Sequence, residues 1–417
     1  MRVLWITNFL FPEATSKLRG ITELKSTGGW LLGAAEALSI QENVNLYVAS
    51  FTPLVSEITV INGNKIIYFA LPITDFTKKT KGYWRKIKAA INPDIVHIYG
   101  TECAYGLSYI NECGSDNVVV SIQGLLSVCA NFYYSGLSRS DILRNISIRD
   151  LLKGSIFRDK NKFQSEAKNE IQIIRNIKHI IGRTSWDKAH ALAINPNLSY
   201  HFCNEILRSD FYNGDKWEYQ NCRKHSIFLS QANYPIKGLH QVLKAMPIIL
   251  RKYPDTIIRV AGDNILNKIW YKRTGYSLYI DKLIKKYNLN NKVLFLGNLN
   301  AEMMKREYLF SNVFICPSSI ENSPNSLGEA QILGVPCVSS YVGGIPDMIP
   351  NIDCGRLYRF EEVEILAQII CDIFAHTSLE NQNIMISTAK KRHDSYQNTE
   401  TLISIYRNIS NDTGEYK

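Results

Sequence analysis

The stretch PSSIENSPNSLGEAQILGVPCVSSYVGGIPD, residues 317 to 347, decides how this 417-residue chain is read. It holds two glutamates, Glu321 and Glu329, with seven residues between them. Ser323 suits a helix N-cap, Pro324 the first helical position, and Gly334 with Pro336 the end, which predicts a helix of roughly ten residues. Short apolar strands are expected before it, at Val313 to Cys316, and after it, at Val335 to Ser339. Strand, helix and strand in that order make a right-handed crossover, and ligands of such sheets sit outside the carboxyl ends of the strands. The amides of Asn325, Ser326 and Leu327 are first-turn donors at the positive end of a helix, a setting that favours phosphate. Glu329, one turn on, reaches sideways toward a hydroxylated ligand. Two acidic acceptors beside an anion-binding helix start suit a sugar nucleotide, whose hydroxyls donate while its diphosphate accepts. An ordinary crossover with two surface glutamates fits the same residues.

Upstream, short apolar runs alternate with helical patterns. Arg2 to Thr7 reads as a buried parallel strand, followed by Asn45 to Ala49, Ile66 to Phe69, Ile95 to Tyr99 and Val118 to Ile122. A polar, irregular stretch from Asn204 to Lys224 reads as a linker, and a second α/β run begins at Ile227. Each half predicts a doubly wound parallel sheet. In the first half, Gly28 and Gly29 stand at a loop-to-helix turn where a ligand can approach the backbone. SIQGLLS, residues 121 to 127, places Gln123 at a strand end, and His97 ends the strand before it as either a satisfied polar group or a catalytic one. In the second half, SQANYPIKG, residues 230 to 238, sets Gln231 and Lys237 in the loop after the first strand.

These motifs resemble, in family order, those of family 4 retaining glycosyltransferases, the "glycosyl transferases group 1" of GT-B fold. The resemblance implies two Rossmann-like domains facing across a cleft: residues 1–205 on the acceptor side, a linker at 206–224, a donor-binding domain at 225–390, and a C-terminal helix, 391–417, crossing back to the first domain. It also implies the roles. Lys237 and the helix amides would hold the diphosphate, Glu321 the transferred sugar and Glu329 the ribose. Ser323, Asn325, Ser326, Leu327, Gly28, Gly29 and Gln231 would line the donor, and Glu321, Lys237 and Gln123 are the catalytic candidates. The donor would be a UDP- or GDP-sugar and the acceptor a saccharide or lipid-linked saccharide of surface polysaccharide synthesis, with no bound cofactor or metal. Two positions depart from the family pattern. Gln123 stands where many members have histidine, and Ser230-Gln231 where they have a diphosphate-binding arginine; Lys272 and Arg273 are candidate substitutes.

Composition sets outer limits. An apolar content of 45% is that of a folded protein, and no apolar run reaches the length of a membrane span. The N-terminus lacks the pattern of a signal peptide, so a cytoplasmic location is expected. Nine cysteines without a CxxC pair read as reduced thiols. Of the net charge of +10, most lies early: residues 1 to 200 hold 23 Lys and Arg against 16 Asp and Glu. The run TKKTKGYWRKIKAAI, with Lys78, Lys79, Lys81, Arg85, Lys86 and Lys88 around Tyr83 and Trp84, fits an anionic membrane surface or a solvated helix face. The former would place the protein at the inner face of the membrane. No nucleic-acid motif accompanies the charge. Two rival functions stay open: a sugar-nucleotide epimerase or hydrolase on the same fold, and a scaffold that keeps the fold without turnover, which Gln123 and the missing arginine would fit.

Overall fold

A computed structural model describes residues 1–21, 29–73, 82–376 and 381–414. Packing divides the chain into two units. The first comprises Met1–Ser127, Gln164–Leu207 and His393–Lys417; the second comprises Val128–Phe163 and Arg208–Arg392. Gly28, Lys78, Lys79 and Lys81 lie outside the described residues.

In the first unit, eight strands are β1 (Arg2–Thr7), β2 (Asn45–Thr52), β3 (Thr59–Asn62), β4 (Ile66–Pro72), β5 (Ile95–Tyr99), β6 (Val118–Ser121), β7 (His179–Gly182) and β8 (Ser199–Phe202), in the spatial order β3-β4-β2-β1-β5-β6-β7-β8. All neighbours pair in parallel except β3 with β4, an antiparallel edge that the sequence reading did not anticipate. The central strands are buried along their length because helices cover both faces of a parallel sheet, as the continuous apolar runs RVLWIT and IVHIY require. The helix Ser395–Gly414 packs in this unit, and its Tyr406 hydroxyl sits 3.0 Å from the Trp5 indole nitrogen and 2.6 Å from His97 Nδ1. His97 Nε2 meets Ser121 Oγ at 2.6 Å. Burial lowers the His97 pKa to about 3, so the ring stays neutral, with both nitrogens engaged inside the sheet core. His97 is a satisfied polar group, and it lies in the middle of β5 rather than at the strand end expected from the sequence.

The second unit holds β9 (Arg223–Leu229), β10 (Ile257–Val260), β11 (Val293–Phe295), β12 (Ser311–Cys316), β13 (Cys337–Ser340) and β14 (Arg356–Tyr358), all parallel, in the order β11-β10-β9-β12-β13-β14. Its first strand thus lies at the centre. The chain winds outward through β10 and β11, then returns to the other side of β9 with β12. In such sheets the reversal opens a crevice at the carboxyl ends of the two central strands. Those ends lead into the Lys237 loop after β9 and the Glu321 loop after β12.

Two stretches sit differently from the sequence expectation. Residues 128–163, expected in the first domain, lie in the second unit, where Ser135 Oγ meets Ser319 Oγ at 2.9 Å and the Ser135 carbonyl accepts from His240 Nε2 at 2.8 Å. The 206–224 stretch is more than a spacer. Phe211 and Trp217 are buried, and the Trp217 indole donates to the Ser311 carbonyl at 2.7 Å.

Candidate functional site

The loop from Pro317 to Glu321 is gripped from both sides by glycines. Gly238, at φ +71°, brings the Lys237 turn so close that a Cβ there would lie 1.7 Å from the Pro317 carbonyl oxygen. Gly343, at φ +52°, does the same on the far side, with its Cβ position 1.8 Å from the Glu321 carbonyl oxygen. Only glycine fits either place, since both the left-handed backbone and the space exclude a side chain. Hydrogen bonds complete the grip. Ser319 N donates to the Ile236 carbonyl at 2.8 Å, and Gly344 N to the Glu321 carbonyl at 3.0 Å. The expected outcome of Gly343→Ala is therefore a displaced Glu321, a stability loss of about 2–4 kcal/mol and weakened ligand binding, read by thermal unfolding and calorimetry. An unaltered affinity would show that the glycine turn has no part in the site.

This grip presents Glu321 to Lys237. Lys237 Nζ donates to Glu321 Oε1 at 2.5 Å, and Ser318 Oγ donates to the same oxygen at 2.8 Å. Burial alone would lower the Lys237 pKa, but the Glu321 carboxylate and the Tyr234 hydroxyl group raise it above the ordinary lysine value, so the ammonium is permanent. One fixed cation and one carboxylate thus stand together at the switch point of the sheet.

The helix behind them spans Asn325–Leu333, one residue later than expected. Ser323 is not its cap. Its hydroxyl is turned to the Met348 sulfur at 3.6 Å and accepts from Arg392 Nη2 at 3.2 Å, and Pro324, in extended conformation, takes the N-cap position with no side-chain hydrogen bond. Of the three amides expected to face a phosphate, Leu327 N is already given to the Pro324 carbonyl at 3.0 Å. Asn325 and Ser326 occupy the first turn as expected. The helix ends at Gly334 in the left-handed conformation, as read from the sequence.

Glu329 is buried, and here the structure adds a residue that sequence reasoning missed. Arg208 grips both carboxylate oxygens, Nε to Oε1 and Nη2 to Oε2, each at 2.8 Å, while Tyr308 Oη lies 3.4 Å from Oε2. Burial pushes the Glu329 pKa up, and the two Arg208 hydrogen bonds oppose it. The guanidinium rests on the Phe211 ring at 4.7 Å. The one available signal was the apolar Phe211 and Trp217 within a stretch otherwise polar enough to pass for a linker.

The other candidates are distributed as follows. Gln231 is exposed in the loop after β9. Arg273 is tied to Asp281 at 3.3 Å, and Lys272 is exposed on a turn. Gln123 and Gly29 belong to the first unit. Gly29 opens the helix Gly29–Ser39, and Gln123 follows β6, its carbonyl accepting from Arg183 Nη2 at 3.1 Å. Arg183 is buried and pairs with Glu205 at 2.5 Å. Among the described residues, no three His, Cys, Asp or Glu side chains converge on a metal position, and no helix is long and apolar enough to cross a membrane.

Two parallel-sheet α/β units, one with its charged pair at the switch point, define a protein of the GT-B fold. The likeness to solved structures is chain-wide. A sucrose-phosphate synthase from Thermosynechococcus elongatus superposes with a TM-score of 0.71 at 15% identity, covering 98% of this chain and 99% of that one. Anabaena Alr3699/HepE in complex with UDP and glucose superposes with a TM-score of 0.65 at 14% identity, covering 98% and 100%. Residues 216–392 match the family model "Glycosyl transferases group 1". An uncharacterized glycosyltransferase, MJ1607, of Methanocaldococcus jannaschii is 28% identical over 132 residues, 32% of this chain and 31% of its own. The chain spans about a third of the length of the curated relatives it matches.

Proposed function

We propose that the protein is a retaining glycosyltransferase that moves a sugar from a UDP- or GDP-sugar to a saccharide or lipid-linked saccharide acceptor, in the synthesis of a surface polysaccharide at the inner face of the membrane. The observation that carries this reading is the Lys237–Glu321 pair at the switch point of a Rossmann-type sheet. A diphosphate placed there takes the Lys237 ammonium and the positive end of the Asn325–Leu333 helix as counter-charge. Glu321, relieved of part of its ion pair, accepts from hydroxyls of the sugar. Glu329 has its orientation fixed by Arg208 and turns its remaining acceptor capacity to the ribose. Charge that builds on the departing phosphate is met by groups already in place, which is where such a site gains its rate. The leaving phosphate oxygen then takes the acceptor's proton on the same face, so the site needs no separate protein base. The solved complexes of HepE with UDP and with UDP-glucose support a uridine nucleotide as the first donor to try.

The test is product analysis with a panel of UDP- and GDP-sugars, each with and without saccharide acceptors. The expected result is nucleoside diphosphate release that requires acceptor and a new linkage of the donor's own anomeric configuration. Conversion of the donor sugar without acceptor would establish the epimerase or hydrolase reading. An inverted linkage would overturn retention.

A further inference from the structure

The second unit carries an apolar face that the donor chemistry does not use. It is assembled from two separate pieces of chain. The short helix Ile148–Lys153 is opened by a capping box between Ser147 and Asp150, in which Asp150 N donates to Ser147 Oγ at 3.1 Å. The same Asp150 carboxylate accepts the Gly275 amide at 2.7 Å, which holds this helix against the turn Trp270–Lys272. The approach is close: a Cβ on Gly275 would stand 2.6 Å from both the Asn145 carbonyl oxygen and Asp150 Oδ2.

What the two pieces present together is unusual for a surface. Leu151 is 74% exposed, Leu152 76%, Trp270 67% and Ile269 54%, with Leu143, Ile148 and Tyr271 exposed beside them. Apolar side chains scattered singly over a surface need no explanation, but a contiguous set does. Cations run through it. Residues 142–153 and 266–273 contain six Lys or Arg and a single acid, Asp150, which is buried and hydrogen-bonded. Arg144, Lys153, Lys268 and Lys272 are exposed. The core of a protein–protein contact is depleted in charge, and a lysine is disfavoured there. Leucine and tryptophan interleaved with basic residues instead match the boundary of an anionic bilayer, where rings and aliphatic chains enter the headgroup layer and ammonium groups meet phosphate.

We propose that this face docks on an anionic phospholipid membrane, with Leu151, Leu152 and Trp270 inserted and Arg144, Lys153, Lys268 and Lys272 against the headgroups. The assignment rests on the reading of a membrane-surface enzyme above and gives that contact to the second unit rather than to the Lys78–Lys88 stretch. It is tested by sedimenting the full chain with vesicles of phosphatidylcholine alone and of phosphatidylcholine with phosphatidylglycerol. The expected result is binding that requires the anionic lipid and falls at least about ten-fold in L151S/L152S/W270S, with thermal midpoint and donor affinity unaltered, while R85E/K86E binds as the parent does. Binding kept by the triple variant and lost in R85E/K86E would overturn this assignment and leave the membrane reading intact. No binding to either vesicle would overturn both. A parent that dimerises, with the triple variant monomeric and neither bound to vesicles, would make the face a contact between copies and sink the proposal.

Discussion

Lys237→Met is expected to lower kcat by about 10²- to 10³-fold, a loss of about 2.7–4 kcal/mol of transition-state stabilisation, with a smaller change in donor KM. The argument starts from the ion pair. Lys237 Nζ lies 2.5 Å from Glu321 Oε1, and Ser318 donates to that same oxygen. An arriving diphosphate offers a second anion to one ammonium, so ground-state binding gains only the difference between two partners. As the nucleotide departs, charge on the phosphate oxygen grows while that of Glu321 does not, and the balance tips toward phosphate. A group whose interaction strengthens along the reaction acts on kcat more than on KM. Lys237→Arg keeps the charge but changes its shape, and should recover part of the rate. Steady-state kinetics and donor calorimetry on both variants decide the matter. A kcat within ten-fold of the parent for Lys237→Met would reduce Lys237 to a partner that only positions Glu321.

How much of this was readable beforehand depended on whether the information was local. The Pro317–Asp347 stretch gives its helix, its left-handed glycine end and both glutamates because caps, glycines and a strand-length apolar run all act within a few residues. The fold follows from the same short-range alternation, and even the loop that carries Lys237 sits where a strand end must be. The failures are of another kind. Ser323 has the chemistry of a cap, but its hydroxyl is taken by Met348 and Arg392, residues 25 and 69 positions away. Arg208 is 121 positions from Glu329, in a segment whose polarity hides the buried Phe211 beside it. Residues 128–163 carry no local signal for which of the two sheets they cover, so the sequence could not say that Ser135 and Asp150 belong with the second unit. The apolar face at Leu151 and Trp270 likewise exists only once Asp150 has met Gly275.

Arg208→Met is expected to destabilise the protein by about 3–5 kcal/mol, lowering the midpoint of thermal unfolding by roughly 10 °C or more. Both oxygens of Glu329 are held by this one guanidinium, and the carboxylate is buried beside Tyr308. Removing the cation leaves an uncompensated buried charge, which costs far more than the pair is worth intact. The sign of the pH dependence follows. Burial already raises the Glu329 pKa, with Arg208 as its chief opponent, so without Arg208 the folded-state value climbs further above the unfolded value of about 4.5. A carboxyl with a raised folded pKa penalises folding at high pH, and the penalty fades as pH falls toward the unfolded value, where both states hold the proton. The deficit of Arg208→Met should therefore be largest near pH 8 and shrink toward pH 4.5. Arg208→Met/Glu329→Gln, which removes the orphaned charge, should regain much of the stability at pH 8 without regaining donor affinity, because the carboxylate proposed to accept from the ribose is gone. Denaturant unfolding of the single and double variants across that range is the check. An equal deficit at both ends of the range, with no recovery in the double variant, would mean that Arg208 serves by packing on Phe211 and that Glu329 is held in place by other groups.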